Sequence, residues 1–229
     1  MKVELGYTSR FEIRQVTHTA PVRRAVRIAY LSDFHLNRYG GALVQEIIRC
    51  IDEINPDILL LGGDYVDTKQ GLPFFDQLLE SLSARKLVFG IAGNHDYFFG
   101  IDRIKTLFDT HHIPWIEQSS VVVECHGTRI LISNTATAED EADVRLACLH
   151  EPAAVQDGYH IVLAGHLHGC QVVLWQSAQG LYPGKWFYKW NILQAFENNT
   201  LTIVSKGLGD TLPFRYNCPK DIILLTLEP

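Results

Sequence analysis

Short apolar runs alternate with segments of helical periodicity in the first half of the chain. Residues 42–54, 73–83 and 100–110 place apolar side chains at intervals of three and four, which predicts three amphipathic helices. The apolar runs between them predict buried strands over Val26–Leu31, Ile58–Leu61 and Leu87–Ile91. This alternation of strand and helix favours a largely parallel sheet.

The second half contains only short strand candidates, separated by clusters of Gly, Asn, Asp and Pro. They are Val121–Cys125, Arg129–Ser133, Arg145–Leu149, His160–Ala164, Gln171–Trp175, Leu201–Ser205 and Ile222–Leu227. The pattern predicts a β-rich half whose sheet packs against the first. We expect residues 1–229 to form one domain, because the chain shows no long linker and no internal repeat.

Composition narrows the function classes. The chain has 229 residues, of which 47% are apolar, so it is long enough to bury a sizeable core. Its formal net charge of −6 gives no general attraction to nucleic acid, so we expect no role as a nucleic-acid scaffold. The ten histidines are a high count for this length. They become informative only through their spacing.

The five cysteines are odd in number and form no C-x-x-C pair, which argues against a zinc ribbon and a disulfide framework. A reducing compartment is favoured. The N-terminal residues lack the apolar core of a secretory signal, and no apolar stretch is long enough for a membrane-spanning helix. We therefore expect a cytoplasmic protein.

Polar motifs follow the apolar runs at the points where the predicted strands end. In an open α/β sheet, ligands bind beyond the carboxyl ends of the strands, so these side chains should share one crevice. Such sets mix oxygen and imidazole ligands, which suits Mn, Fe or Zn. The residues at these positions are Asp33, His35, Asp64, Asn94, His95, His150, His166 and His168.

The spacing within the motifs adds to this prediction. In an extended D-x-H or H-x-H segment both side chains point to the same face, because a strand repeats every two residues. The glycines before Asp64, Asn94 and His166 permit sharp turns and close backbone approach. Each motif alone is more simply interpreted as an ordinary turn, helix cap or strand end. Together, in this order, they indicate a functional site.

The ordered motifs D-F-H, G-D-Y-V-D, G-N-H-D, L-H-E-P and G-H-L-H resemble those of the calcineurin-like metallophosphoesterases, from about residue 26 to the C-terminus. G-H-L-H-G-C-Q followed by S-K-G-L-G-D-T-L-P-F-R is similar to the YkuE/YaeI-type bacterial phosphoesterase branch. The resemblance implies the metallo-dependent phosphatase fold, a four-layer α/β/β/α sandwich of two mixed sheets flanked by helices.

The resemblance also implies two divalent metal ions, with Mn favoured and Fe or Zn as alternatives. Such a pair can activate a bridging hydroxide for in-line attack on phosphorus. Asp33, His35 and His168 would hold the first metal; Asn94, His150 and His166 would hold the second; Asp64 would bridge them. His95 would protonate the leaving oxygen, and Asp67 would orient His95. Asn94, His95 and Arg215 would contact the substrate.

The substrate class follows from departures from the family pattern. Protein phosphatases of the superfamily have Arg-Gly after the G-D-x-x-D motif, where this chain has Thr68 and Lys69. This difference argues against a phosphoserine substrate. A phosphodiester or pyrophosphate is favoured. A UDP-diacylglucosamine pyrophosphohydrolase-like enzyme acting on a lipid-linked substrate is an alternative, and a non-catalytic metal-binding scaffold is a rival of another class.

The sequence allows two interpretations each for residues 181–190 and for Arg215. Residues 181–190 mix aromatics with lysines, which indicates either a flap packed on the second sheet or a peripheral contact with the inner membrane or with acyl chains. Arg215 is either a clamp for the substrate phosphate or part of a structural ion pair.

Overall fold

The computed structural model describes residues 2–137 and 140–229. The α-helices are α1 (Gly41–Ile54), α2 (Leu72–Leu82), α3 (Asn94–Phe99) and α4 (Ile101–Thr110). The strands are β1 (Val3–Leu5), β2 (Glu12–Thr19), β3 (Val26–Leu31), β4 (Ile58–Leu61), β5 (Val88–Gly90), β6 (Ser120–Cys125), β7 (Thr128–Ser133), β8 (Val144–Cys148), β9 (Ile161–Ala164), β10 (Val173–Ser177), β11 (Gly180–Pro183), β12 (Gln194–Glu197), β13 (Thr200–Val204), β14 (Phe214–Tyr216) and β15 (Asp221–Glu228). Short 3₁₀ turns cover Lys69–Gly71, His168–Cys170 and Gly184–Trp186.

The first sheet has five strands in the order β2-β15-β3-β4-β5. β3, β4 and β5 run parallel, as the strand–helix alternation predicted. The final strand returns to this sheet between β2 and β3, although the sequence had grouped it with the second half. The reason is its burial on both faces: Ile222 packs under the helices while Ile223 faces the other sheet. Such a strand fits the interior of a sheet covered on both sides.

The second sheet has six strands in the order β12-β13-β9-β8-β7-β6. Its four inner strands, β13, β9, β8 and β7, are parallel, and the two edge strands are antiparallel to their neighbours. One apolar cluster fills the space between the two sheets, and another lies between the first sheet and helices α1, α2 and α4. The α/β class and the pair of mixed sheets are thereby confirmed.

The outer face of the six-stranded sheet carries a smaller cluster. Val155 and Tyr159, from the connection between β8 and β9, pack on Ala147 and Val162 of the sheet. All α-helices of the described residues precede residue 111. The expected outer layer on this side is therefore formed by this connection rather than by a helix.

β10 and β11 form a separate antiparallel ribbon instead of extending the second sheet. Its strand begins at Val173, because Gln171 has a left-handed backbone conformation that ends the preceding turn. All five cysteines are free thiols. Across residues 2–137 and 140–229, no helix has both the length and the apolarity needed to span a bilayer.

Candidate metal centre

The carboxyl ends of five strands deliver the predicted site residues to one edge of the sandwich. Asp33 and His35 follow β3, and Asp64 follows β4. The segment after β5 carries Asn94 and His95 at the first turn of α3. The remaining three follow β8 and β9: His150, His166 and His168. The convergence expected at the strand ends is thus present.

Asp33, His35 and His168 form the first group of donor atoms. One ligand atom from each lies within 4.8 Å of the others. Nε2 of His35 is 3.1 Å from Nε2 of His168, which lies 3.5 Å from Oδ1 of Asp33. The Asp33 carboxylate is fixed by the Ser32 hydroxyl and by the backbone N–H of His166, which donate hydrogen bonds to it. The structure thus brings together the three residues of the first predicted ligand set.

Asp64, His150 and His166 form the second group, again within 4.8 Å. Asn94 belongs to it as well, because its Oδ1 lies 3.0 Å from Nε2 of His150 and 2.9 Å from Nδ1 of His166. Oδ2 of Asp64 is 3.2 Å from Nε2 of His150 and 3.8 Å from Nε2 of His35. Asp64 therefore stands between the two groups, at the place predicted for the bridging ligand.

The orientation of the donor atoms fits metal ions. His35 donates its Nδ1 proton to Asp67, and His150 donates its Nδ1 proton to the carbonyl of Gly62. Their Nε2 lone pairs consequently point into the site, toward the acceptor oxygens of Asp64 and Asn94. Acceptors about 3 Å apart repel one another unless a proton or a cation lies between them, and ligands bound at about 2.0–2.2 Å have such separations.

Protons provide the balancing charge where no cation is bound. Burial opposes the charged form of His150, but hydrogen bonding to Asp64 and the charges of Asp33 and Asp64 outweigh it and raise its pKa to about 9. Burial, followed by the charges of His35 and Arg215, lowers the pKa of His168 well below its usual value. His168 is therefore neutral. Divalent ions binding here would displace protons from the site.

Five of the predicted ligands have left-handed backbone conformations, with φ between +45° and +71°: Asp33, His35, Asp64, His166 and His168. The extended geometry expected for D-x-H and H-x-H is therefore wrong. Side chains at alternate positions converge here because tight loops, held by bonds such as Asp33 N–H to the Gly63 carbonyl, turn them inward. Non-glycine residues adopt this conformation at a cost of roughly 1–2 kcal/mol. Strain of this kind concentrates at functional sites.

Two of the predicted turn glycines are required by close packing. A Cβ at Gly93 would lie 2.2 Å from Oδ1 of Asp64, and a Cβ at Gly165 would lie 2.4 Å from Oδ2 of Asp33. Any side chain at either position would displace a carboxylate of the site. The expectation of close backbone approach is confirmed at both positions.

His95 lies at the mouth of the site with its side chain partly exposed. Its backbone N–H donates a 2.7 Å hydrogen bond to Oδ1 of Asp64. Oδ1 of Asp67 lies 2.8 Å from Nδ1 of His35 and 3.4 Å from Nδ1 of His95. Asp67 therefore contacts both imidazoles and holds His35 more closely than the His95 it was expected to orient.

Asp96 is a residue whose role the sequence reasoning missed. Its buried carboxylate accepts hydrogen bonds from the backbone N–H groups of Gly93, Asp64 and Tyr65, at 2.8–2.9 Å. It thereby joins the loop after β4 to the first turn of α3. The available signal was the position of Asp96, three residues after Gly93, where an acidic side chain caps a helix start.

Arg215 is 1% exposed and lies behind His168. Its Nε donates to Asp210 at 2.6 Å, and its Nη2 donates to the Gly209 carbonyl and lies 3.3 Å from Nδ1 of His168. Asp210 also pairs with the buried Lys220 at 2.7 Å. These inward contacts favour the structural ion pair over the phosphate clamp.

An aromatic surface adjoins the centre. We call β10, β11 and residues 184–190 the aromatic ribbon. Val173 and Leu181 anchor it on Cys218, whose thiol donates to the carbonyl of His168. On its outer side, Trp186 is 65% exposed and Phe187 is 77% exposed. The ribbon is therefore joined to the loop that carries the His168 ligand, and its large apolar side chains face solvent.

Several known proteins are similar to this chain in sequence. The family model for calcineurin-like phosphoesterases matches residues 26–170. The chain is 26% identical over 221 residues to phosphodiesterase YaeI of Escherichia coli (strain K12), covering 88% of this chain and 82% of YaeI. It is 37% identical over 84 residues to UDP-2,3-diacylglucosamine pyrophosphatase LpxG of Chlamydia trachomatis, covering 34% of this chain and 25% of LpxG.

Among solved structures, the fold is similar to that of a dimetal phosphatase from Danio rerio. The TM-score is 0.55 at 10% sequence identity, and the match covers 90% of this chain and 99% of the other. At this identity the likeness concerns the fold alone.

Proposed function

The chain belongs to the calcineurin-like phosphoesterase family, and on that premise we propose that it is a two-metal phosphohydrolase that cleaves a phosphodiester or pyrophosphate bond. The observation that carries the proposal is the pair of donor groups on either side of Asp64. Asp33, His35 and His168 would hold one ion; Asn94, His150 and His166 would hold the other. The ions would supply Lewis acidity and an activated water.

The residues of the chain supply the remaining chemistry. His95 stands at the mouth of the site and would give its proton to the leaving oxygen. Asp67, in contact with His95 and His35, would orient both rings. Asn94 and His95, at the positive N-terminal turn of α3, would contact the phosphate oxygens. Arg215 faces inward, so no guanidinium from that position would serve the extra charge of a monoester.

Metal reconstitution tests this proposal. We expect purified protein to bind about two transition-metal ions per chain and to hydrolyse bis-p-nitrophenyl phosphate, with Mn restoring activity after chelation. We also expect kcat/KM for this diester to exceed that for p-nitrophenyl phosphate. Full activity in excess chelator would contradict the metal mechanism. A clear preference for the monoester would contradict the substrate class.

A lipid-linked pyrophosphate is a second candidate substrate, favoured by the aromatic ribbon. Trp175 and Tyr182 stack with ring centroids 5.0 Å apart, and Trp186 packs edge-on against them. Lys185 and Lys189 lie close to Trp186 in the sequence, and segments that mix aromatics with lysines suit anionic membrane interfaces. LpxG, a relative over part of the chain, is named for a substrate that carries acyl chains.

Vesicle binding tests the second candidate. We expect wild-type protein to cosediment with vesicles containing anionic lipid, and Trp186→Ala with Phe187→Ala to lose most of that binding. The matched control is Phe196→Ala, which removes an exposed aromatic ring on strand β12, outside the ribbon. Equal cosedimentation of wild type and the ribbon variant would indicate that the ribbon has a structural role and does not bind lipid.

A further inference from the structure

Another cluster of side chains with metal-ligand chemistry lies at the opposite end of the sandwich from the metal centre. It consists of Asp57, Cys125 and His126, with one ligand atom from each within 4.8 Å of the others. Asp57 directly precedes β4, whereas Asp64 of the metal centre follows that strand. Cys125 ends β6, and His126 begins the turn into β7. The cluster therefore joins the amino end of a strand of the first sheet to a hairpin of the second.

The Asp57 carboxylate is held in place and keeps one oxygen for the cluster. Its Oδ2 accepts a 2.8 Å hydrogen bond from the backbone N–H of Arg27, and the backbone N–H of Asp57 donates to the Arg27 carbonyl. The other carboxylate oxygen, Oδ1, lies 2.9 Å from Nε2 of His126. Outer contacts such as those with Arg27 orient a ligand for a metal. The O–N separation is one that two ligands of the same ion can have.

The turn between β6 and β7 presents His126 at the surface. His126 and Gly127 are its two residues, with φ of +50° and +77°. Positive φ at both positions is the pattern of a type I′ turn, in which Asn, Asp and Gly are preferred. The His126 side chain is 42% exposed. Asparagine would satisfy the same backbone geometry, so the imidazole can be removed while the turn is kept.

The Cys125 thiol is the donor that distinguishes this cluster from the metal centre. Cys125 is 6% exposed and belongs to the apolar cluster between the two sheets. Burial, followed by the charge of Asp57, raises the pKa of the thiol to about 11. This shift argues against a redox-reactive cysteine, which needs a lowered pKa. A bound cation would reverse it, because a coordinating thiol is deprotonated outright.

We propose that Asp57, Cys125 and His126 bind a single zinc ion outside the metal centre. Thiolate, imidazole and carboxylate together are ligands that zinc takes, whereas Mg²⁺ and Ca²⁺ take oxygen ligands. Water would complete the tetrahedron on the exposed side of the cluster. The ion would fasten β4 to the β6–β7 hairpin and so hold the two sheets together at this end. This inference does not depend on the proposed hydrolysis.

Cobalt substitution tests the proposal, because a thiolate ligand to cobalt gives a charge-transfer band in the near ultraviolet. The ligands proposed for the metal centre are oxygen and nitrogen donors, so ions there give no such band. We expect wild type to show the band and Cys125→Ser to lose it. Cys170→Ser, which removes a half-buried thiol elsewhere, should keep the band. Asp64→Ala, which should empty the metal centre, should keep it as well.

His126→Asn tests the site with the turn intact. Loss of outer contacts alone weakens metal sites by about 10- to 100-fold, so loss of a direct ligand should weaken cobalt binding by more than about 10-fold. Free zinc at about 100 times its Kd should raise the Tm of wild type by about 5–10 °C more than that of His126→Asn. The matched control is His111→Asn, which removes another imidazole paired with a carboxylate, that of Asp76, and should respond to zinc as wild type does.

The outcomes separate this site from the metal centre. Absence of the band from wild type, or a band retained by Cys125→Ser, would overturn the proposal. Equal zinc responses of wild type and His126→Asn would also overturn it, and loss of the band in Asp64→Ala would place the thiolate in the metal centre instead. Hydrolysis of bis-p-nitrophenyl phosphate by the same samples reports the proposed function independently. A cobalt band without hydrolysis supports the zinc site and contradicts the phosphohydrolase alone.

Discussion

Replacement of Asp96 provides a quantitative test of how the metal centre is built. The carboxylate accepts three backbone N–H hydrogen bonds, two on Oδ2 and one on Oδ1. Asp96→Ala leaves these buried donors without their partner, and each such loss costs about 1–3 kcal/mol. Water entering the vacated space replaces part of the bonding, so we expect a net loss of about 3–5 kcal/mol.

Asp96→Asn gives a smaller loss that follows from the same contacts. The amide oxygen can keep the two bonds from Asp64 and Gly93 if the amide nitrogen turns toward Tyr65. That orientation loses one bond and sets two donors against each other, which costs about 1–3 kcal/mol. In a chain of this length, each kcal/mol lowers Tm by about 2–4 °C.

Urea unfolding of metal-free protein measures these losses apart from metal binding. The assay belongs at pH 8, where the wild-type carboxylate is ionised, because burial raises the pKa of Asp96 to about 6. Asp102→Asn, an exposed acid in the first turn of α4, serves as control, with an expected change of about 0.3–1 kcal/mol. Wild-type stability of both Asp96 variants would refute the reasoning that the carboxylate joins the two loops.

The remaining predictions concern individual roles in the centre. His95→Ala should keep both metals but lower kcat by about 10²–10⁴ for poor leaving groups, and by less for p-nitrophenol, in paired kinetic and metal assays; equal losses would contradict the acid role. Asp64→Ala should lose metal and activity together, whereas Asp52→Ala, which removes an exposed acid of α1, should retain both. Arg215→Met should lower stability by about 3–5 kcal/mol, because Asp210 loses a buried partner. Wild-type stability of this variant together with a raised KM would instead favour the phosphate clamp.

The local sequence pattern was sufficient to predict the bounds of an element whose side chains are all buried. Ile58–Leu61 was predicted with the bounds that β4 has, because all four side chains are apolar and buried. The convergence of the site residues was also predictable, since parallel strands bring their carboxyl ends to one edge. These features depend on periodicity and chain direction, which the sequence carries directly.

Features set by distant contacts were not predictable in the same way. The placement of β15 depends on pairing with β2 and β3, about 200 residues earlier in the chain. The burial of Arg215 depends on Asp210 and Lys220 meeting it in the interior. The backbone conformation at Asp33 depends on the neighbouring loop at Gly63. No local pattern around these residues reports such partners.

The left-handed backbone at the predicted ligand positions changes what a glycine substitution there would do to the stability of the fold. Glycine adopts φ near +50° without the roughly 1–2 kcal/mol that other residues incur, so replacing Asp33, His35 or His168 by glycine relieves backbone strain. The relief would be set against the contacts that the side chain loses, such as the hydrogen bonds that Asp33 accepts from Ser32 and His166. Replacement of these residues by glycine would therefore destabilise the fold less than the lost contacts alone would.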